Sequence, residues 1–156
     1  MTFRKINKVY FVGIGGIGMS GIAEVMHSFG YHVQGSDIVN NQNVKRLKKK
    51  GIKIFLGHSA KNLKGVNIVV ISSAIKKNNS ELKFARRNKI LVYKRSDMLA
   101  VLMKYNESIA VTGSHGKTTT TSLISSVSMA PVLILNDVIV FSTISSFVMT
   151  WVMRFV

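Results

Sequence analysis

Two glycine-bearing segments have the residue types and spacing for phosphate chemistry. Gly13, Gly15 and Gly18 form G-x-G-x-x-G, and Asp37 follows nineteen residues after Gly18. Glycine suits such a loop because the chain must turn tightly and bring its backbone close to a phosphate. The N–H groups and dipole of the helix that follows then face the anion. Asp37 stands where a dinucleotide fold would present a carboxylate to a ribose. The pattern indicates a nucleotide or another phosphate ligand without choosing between them. The second segment is Thr112-Gly113-Ser114-His115-Gly116-Lys117-Thr118-Thr119. Its G-K-T ending would set Lys117 on terminal phosphates and the Thr118 hydroxyl on Mg²⁺. Val111 stands where the common phosphate loop has its first glycine. The shorter arch over 113–116 can still align successive N–H groups into an anion nest.

Each loop has to be held between a strand and a helix. Strands are predicted at 8–12, 31–35, 52–56, 67–72, 90–93 and 109–112, and helices at 19–29, 43–50, 80–88 and 96–105. Ile22, Ala23, Met26 and Phe29 make one apolar stripe, and Gly30 stops that helix. The run NIVVIS at 67–72 is continuously apolar, as a strand buried on both faces should be. Ser80 is expected to cap the third helix, and Met98, Leu99, Leu102 and Met103 to form the inner face of the fourth. Short β-branched runs alternating with helices predict an α/β fold with a parallel sheet.

Composition narrows the function. The chain has 156 residues, with 22 Lys and Arg against 6 Asp and Glu, a net charge of +16. The absence of cysteine excludes disulfides and thiolate metal sites. The apolar N-terminal run is interrupted by Gly13, Gly15, Gly16 and Gly18, so it reads as strand, loop and helix rather than a secretory signal, and the expected compartment is the cytoplasm. Lys45-Arg46-Leu47-Lys48-Lys49-Lys50 is the best nucleic-acid candidate, yet no aromatic residue interleaves it. It is read as a solvated helix face, with no nucleic-acid partner. His27, His32 and His58 lack ligand-like spacing and are read as surface or packed side chains. Two phosphate loops on separate strands argue against a simple dehydrogenase, which needs one. A NAD-type oxidoreductase with Asp37 on the ribose stays the competing class, beside a nucleotide-binding module without catalysis.

The segments Gly13-Ile14-Gly15-Gly16-Ile17-Gly18-Met19-Ser20-Gly21, Gly35-Ser36-Asp37, Val69 to Ile75, Arg95-Ser96-Asp97-Met98-Leu99 and Thr112 to Thr121 resemble, in order and spacing, the N-terminal part of the Mur ligases. The likeness runs from residue 5 to about 126. It implies a Rossmann-like parallel-sheet domain over 1–106, holding the UDP part of UDP-N-acetylmuramate, then the start of a P-loop ATPase central domain over 107–126. By that resemblance Gly15, Gly16, Ile17 and Gly18 would contact the diphosphate. Asp37, Ser72 and Ser73 would lie near the uridine or diphosphate. Gly113, Ser114, His115, Gly116, Lys117, Thr118 and Thr119 would bind ATP, with Lys117 and Thr118 in catalytic roles and Mg²⁺ on Thr118. The implied reaction is ATP-dependent addition of L-alanine to the sugar's lactyl carboxylate through an acyl phosphate, in peptidoglycan synthesis. Ser114 replaces the threonine that usually begins the family's loop, and keeps its hydroxyl.

After about Ser126 the resemblance stops. Residues 127–156 hold Asp137 as their one acid. The run 138–153 is uncharged but carries five Ser or Thr, too short and too polar for the ~20 mostly apolar residues of a membrane span. An ordinary strand or buried helix is a second reading. The expectation adopted is a tail whose reading frame was lost or truncated. On that reading the chain lacks the full active site, and its partial ATPase module has unpaired, aggregation-prone sheet edges.

Overall fold

A computed structural model describes residues 8–105, 107–112, 119–120, 123, 132–135 and 138–143. The chain forms two compact units, Met1–Met98 and Leu99–Val156. The first unit contains β1 (Lys8–Val12), α1 (Ile17–Ser28), β2 (His32–Asp37), α2 (Gln42–Lys49), β3 (Lys53–Leu56), a 3-10 turn (Ala60–Leu63), β4 (Ile68–Ile71), α3 (Ser80–Arg87) and β5 (Leu91–Lys94). The helix α4 (Arg95–Tyr105) runs from it into the second unit. All five strands are parallel, in the order β3-β2-β1-β4-β5.

The order reverses at β1: the chain first builds outward through β2 and β3, then returns to add β4 and β5 on the other side. A parallel sheet opens a crevice beyond the carboxyl ends of the strands at such a switch point. Being central, β1 must be covered on both faces, and Val9, Tyr10, Phe11 and Val12 have no exposed surface. Tyr10 and Val12 pack in a cluster with Leu63, Val66, Val69 and Ala85. Val9 and Phe11 alternate to the opposite face. In α1 the buried Met19, Ile22, Ala23 and Met26 follow helical spacing, so one stripe meets the core.

The expected elements of the first unit all form, with three local differences. α1 starts at Ile17 rather than 19, directly after Gly16. β2 runs on past Gly35 to Asp37, because Ser36 and Asp37 still have neighbours in register, Val12 and Leu56. α3 is capped by Asn79 instead of Ser80: the Asn79 side chain accepts from the Glu81 and Leu82 amides at 2.9 and 3.1 Å. Ser80 is instead the first helical residue, and its hydroxyl donates to the His58 carbonyl. An amide reaches two N–H groups at once, which makes Asn79 the stronger cap.

In the second unit β6 (Glu107–Thr112) pairs antiparallel with β8 (Val138–Thr143), which pairs antiparallel with β7 (Val132–Leu135). Two stretches of the tail are therefore strands. Among the described residues, no helix is long and apolar enough to cross a membrane.

Gly35 shows how tightly the centre of the sheet is built. A Cβ there would lie 2.6 Å from the Phe11 carbonyl oxygen and 2.7 Å from Ile14 Cδ1. Backbone of a central strand cannot give way, so Gly35→Ala is expected to destabilise the chain by about 3 kcal/mol or more. Gly51→Ala meets open space, and its cost comes from a φ of +86°, about 1–2 kcal/mol. Urea unfolding of the two variants checks the order; an equal or smaller loss for Gly35→Ala would contradict it.

Candidate functional site

The first glycine loop sits at the switch point, and its N–H groups divide into two sets. Gly13 turns the chain with a φ of +80°. The Gly13 and Ile14 amides both donate to the Ser36 carbonyl, at 2.8 and 3.0 Å. The Gly15 amide donates to Asp37 Oδ2 at 2.7 Å, while Asp37 Oδ1 accepts from the Val39 amide at 3.0 Å. Asn41 and Asn43 clamp the Gly15 carbonyl, each donating through Nδ2 at 3.0 Å. The Gly16 amide turns back to the Gly13 carbonyl at 3.3 Å. The first half of the loop is thus spent on holding itself to β2.

The second set is different. The helical ladder of α1 begins with the Ser20 amide donating to the Gly16 carbonyl at 2.8 Å. The amides of Ile17, Gly18 and Met19 precede that first bond, as the opening donors of any α-helix do. No capping side chain takes them, because the N-cap is Gly16. Gly16 and Ile17 are exposed, whereas Gly15 and Asp37 are buried. Three successive donors at the positive end of a helix dipole, directly after a loop at the switch point, make an arrangement that suits an anion.

The glycines serve unequal purposes. A Cβ on Gly15 would lie 2.8 Å from Val44 Cγ2 and 2.9 Å from Asp37 Oδ2. One on Gly16 would meet nothing closer than 3.5 Å, at a φ of −62° that any residue adopts. Gly15 is required by packing, while a Cβ at Gly16 would make only ordinary contacts.

Ser72 and Ser73 follow β4 on the other side of β1. The Ser72 amide donates to the Val12 carbonyl at 3.2 Å, and Ser72 Cβ would lie 3.2 Å from a Cβ on Gly13. Ser73 is exposed. The structure therefore gathers Gly15, Gly16, Ile17, Gly18, Asp37, Ser72 and Ser73 at the carboxyl ends of β1, β2 and β4. Gly113, Ser114, His115, Gly116, Lys117 and Thr118 lie outside the described residues; Thr119 is described and exposed.

Sequence reasoning missed a buried carboxylate beside this loop. Glu81, in the first turn of α3, has no exposed surface. Its Oε1 accepts from the Tyr10 hydroxyl (2.8 Å), Asn62 Nδ2 (2.9 Å) and the Ser59 amide (3.2 Å). Its Oε2 accepts from the Ser36 hydroxyl at 2.6 Å and lies 2.8 Å from His58 Nδ1. Burial, reinforced by the adjoining Glu81 charge, pushes the Tyr10 phenol well above its ordinary range, so that hydroxyl keeps its proton and donates. The only local signal was an acid near a helix N-terminus. Its donors come from far along the chain, and no spacing rule links them. Asn41 and Asn43 were missed for the same reason.

The basic run also has a structural share. Arg46 lies 3.5 Å from Glu24, and Lys50 pairs with the same carboxylate, so two of its cations join α2 to α1. Lys45, Lys48 and Lys49 are exposed. His27 packs by Nε2 near the Lys50 carbonyl at 3.1 Å, and His32 is exposed. Among the described residues no three His, Asp or Glu side chains are grouped to hold a metal.

Comparison with known proteins agrees with this geometry. Residues 8–107 match the Mur ligase family, catalytic domain. A UDP-N-acetylmuramate–L-alanine ligase of Rickettsia typhi is 59% identical over 123 residues, covering 79% of this chain and 25% of that protein. The corresponding ligase of Methylobacterium is 56% identical over 121 residues, covering 78% of this chain and 26% of its own length. The crystal structure of UDP-N-acetylmuramate-alanine ligase from Thermotoga maritima superposes with a TM-score of 0.73 at 36% identity, over 80% of this chain and 30% of that one. The chain spans about a quarter of the length of the curated relatives it matches.

Asp37 anchors the loop through Oδ2 while Oδ1 takes the Val39 amide, and Asp37→Asn exchanges one acceptor for an N–H₂ donor facing a backbone N–H. The expected loss is about 1–3 kcal/mol of unfolding free energy, read from urea denaturation. An unchanged midpoint would show that the loop is not held by this carboxylate.

Proposed function

The chain belongs to the Mur ligase family, and from that premise we propose that its first unit binds the UDP moiety of UDP-N-acetylmuramate in the ligation of L-alanine. The observation that carries this reading is the split in the glycine loop. The amides of Gly13 to Gly15 are consumed by Ser36 and Asp37, while those of Ile17 to Met19 precede the first bond of the helical ladder and take no capping side chain. A diphosphate matches three successive donors in charge and in acceptor geometry. Gly16 gives it room to approach, and the hydroxyls of Ser72 and Ser73 stand at the neighbouring strand end. Asp37 acts beneath the ligand by setting the loop, with its remaining lone pairs available to a ribose hydroxyl.

In the reaction proposed for the whole ligase, the γ-phosphoryl of ATP moves to the lactyl carboxylate of the sugar, giving an acyl phosphate and ADP. The amine of L-alanine then attacks the acyl carbon, the amide bond forms and inorganic phosphate leaves. The segment Gly113-Ser114-His115-Gly116-Lys117-Thr118-Thr119 is proposed to cradle ATP. Lys117 would offset charge on the transferring phosphoryl group and Thr118 would hold Mg²⁺, whose contribution when bound is charge neutralisation. These roles rest on the sequence motif. The chain's own proposed share in the reaction is substrate binding, and the proposed compartment is the cytoplasm.

Calorimetric titration of the full chain with UDP-N-acetylmuramate, ATP·Mg²⁺ and NADH tests the reading. Saturable binding of the UDP sugar without NADH binding is expected. Gly16→Ala should leave unfolding unchanged, since its Cβ meets only ordinary contacts, yet weaken the UDP sugar about tenfold by occupying the phosphate approach. A folded chain that binds NADH in place of the UDP sugar would return the first loop to the oxidoreductase reading.

A further inference from the structure

We infer that Glu81 is a positioning residue for nucleotide binding, acting through Ser36 on the glycine loop. This rests on the UDP-binding reading and adds to it a residue that touches no ligand. The Glu81 carboxylate draws together the side chain of Tyr10 from β1, that of Ser36 from β2, His58 and Ser59 after β3, and Asn62 from the 3-10 turn. Ser36 is the link to the site. Its hydroxyl donates to Glu81 at 2.6 Å, and its carbonyl accepts from both Gly13 and Ile14. The next residue, Asp37, holds the Gly15 amide. The N–H groups of Gly13, Ile14 and Gly15 therefore all hang on the Ser36–Asp37 pair. The Ser36 hydroxyl is held by the buried Glu81 carboxylate, with His58 Nδ1 also 3.0 Å from it.

A buried ion with polar partners is weak evidence for stability, since well-packed apolar groups often serve as well. What it supplies is a single geometry, because five donors converge on two oxygens and each constrains the others. The Ile17, Gly18 and Met19 amides follow the anchored segment immediately, so a shift at Ser36 is passed to these donors. Small misplacements of binding groups are costly in affinity.

The test uses the full ¹⁵N-labelled chain with Glu81→Gln and Ser36→Ala, each studied well below its own melting temperature. Glu81→Gln keeps the shape but turns an N–H₂ toward donors. It is expected to move the Gly13 and Ile14 amide resonances and to weaken UDP-N-acetylmuramate about tenfold, while ATP·Mg²⁺ binding stays as in the unaltered chain. Ser36→Ala, which removes a single hydroxyl and leaves the carbonyl, should shift the same resonances and weaken the UDP sugar in the same direction. It decides the question alone if Glu81→Gln does not fold. A lowered melting temperature with unchanged resonances and unchanged affinity would make Glu81 a purely structural group and overturn the inference. Failure of the unaltered chain to bind the UDP sugar would instead overturn the nucleotide reading, and this inference with it.

Discussion

The carboxyl ends of the parallel strands are tied together by acceptors, and the rest of the site depends on that tie. Beyond the last ladder bond of a parallel strand, the backbone donors of the next loop need partners or water. Here the partners are the Ser36 carbonyl, the Asp37 carboxylate and, behind them, the Glu81 carboxylate. A chain with only 6 acids against 22 Lys and Arg has few anions to place. Four of them hold backbone or bridge elements: Glu24 joins α1 to α2, Asp37 holds the loop, Glu81 gathers strand ends, and Asp97 accepts from the Lys94 amide.

Burying Glu81 would be costly on its own, because an ionised carboxylate without partners loses several kcal/mol of hydration. Its two oxygens are met by an alcohol, a phenol, an amide side chain, a backbone N–H and an imidazole. Charge-assisted bonds of this kind are stronger than neutral ones and offset the desolvation. Tyr10 takes part because its own burial keeps the phenol protonated. Thus the buried stretch Val9 to Val12 of the central strand, otherwise hydrocarbon, carries one polar side chain whose tip reaches the acid. That contact places α3 and the 3-10 turn against β1.

The glycine loop then separates into an anchored part and a presenting part. Anchoring uses N–H groups that would otherwise compete for an anion, and it fixes where the helix begins. The proposed presentation needs no side chain at all: the opening donors of α1 have no partner within the helix, and a Cβ on Gly16 would meet nothing closer than 3.5 Å. Gly13, Gly15 and Gly16 therefore answer different constraints, which a pattern of letters does not distinguish.

Much of this was legible in the sequence. Hydrophobic period and glycine punctuation located every strand and α-helix of the first unit within a few residues, because those signals act over neighbouring positions. The loop Gly13 to Gly18, Asp37 and the Ser72-Ser73 pair lie at strand ends, where the sequence placed them. The resemblance to the Mur ligases came from motifs of the same local kind. What the sequence could not express was which donors meet which acceptors across strands. The order β3-β2-β1-β4-β5 brings Tyr10 to Glu81 and Ser36 to Gly13, residues separated by 71 and 23 positions. Local periodicity determined the elements and the loop that presents donors. Only the tertiary fold decided that Glu81, Asn41 and Asn43 belong to its support, because hydrogen-bond partnership across a sheet is set by strand order and register rather than by distance along the chain.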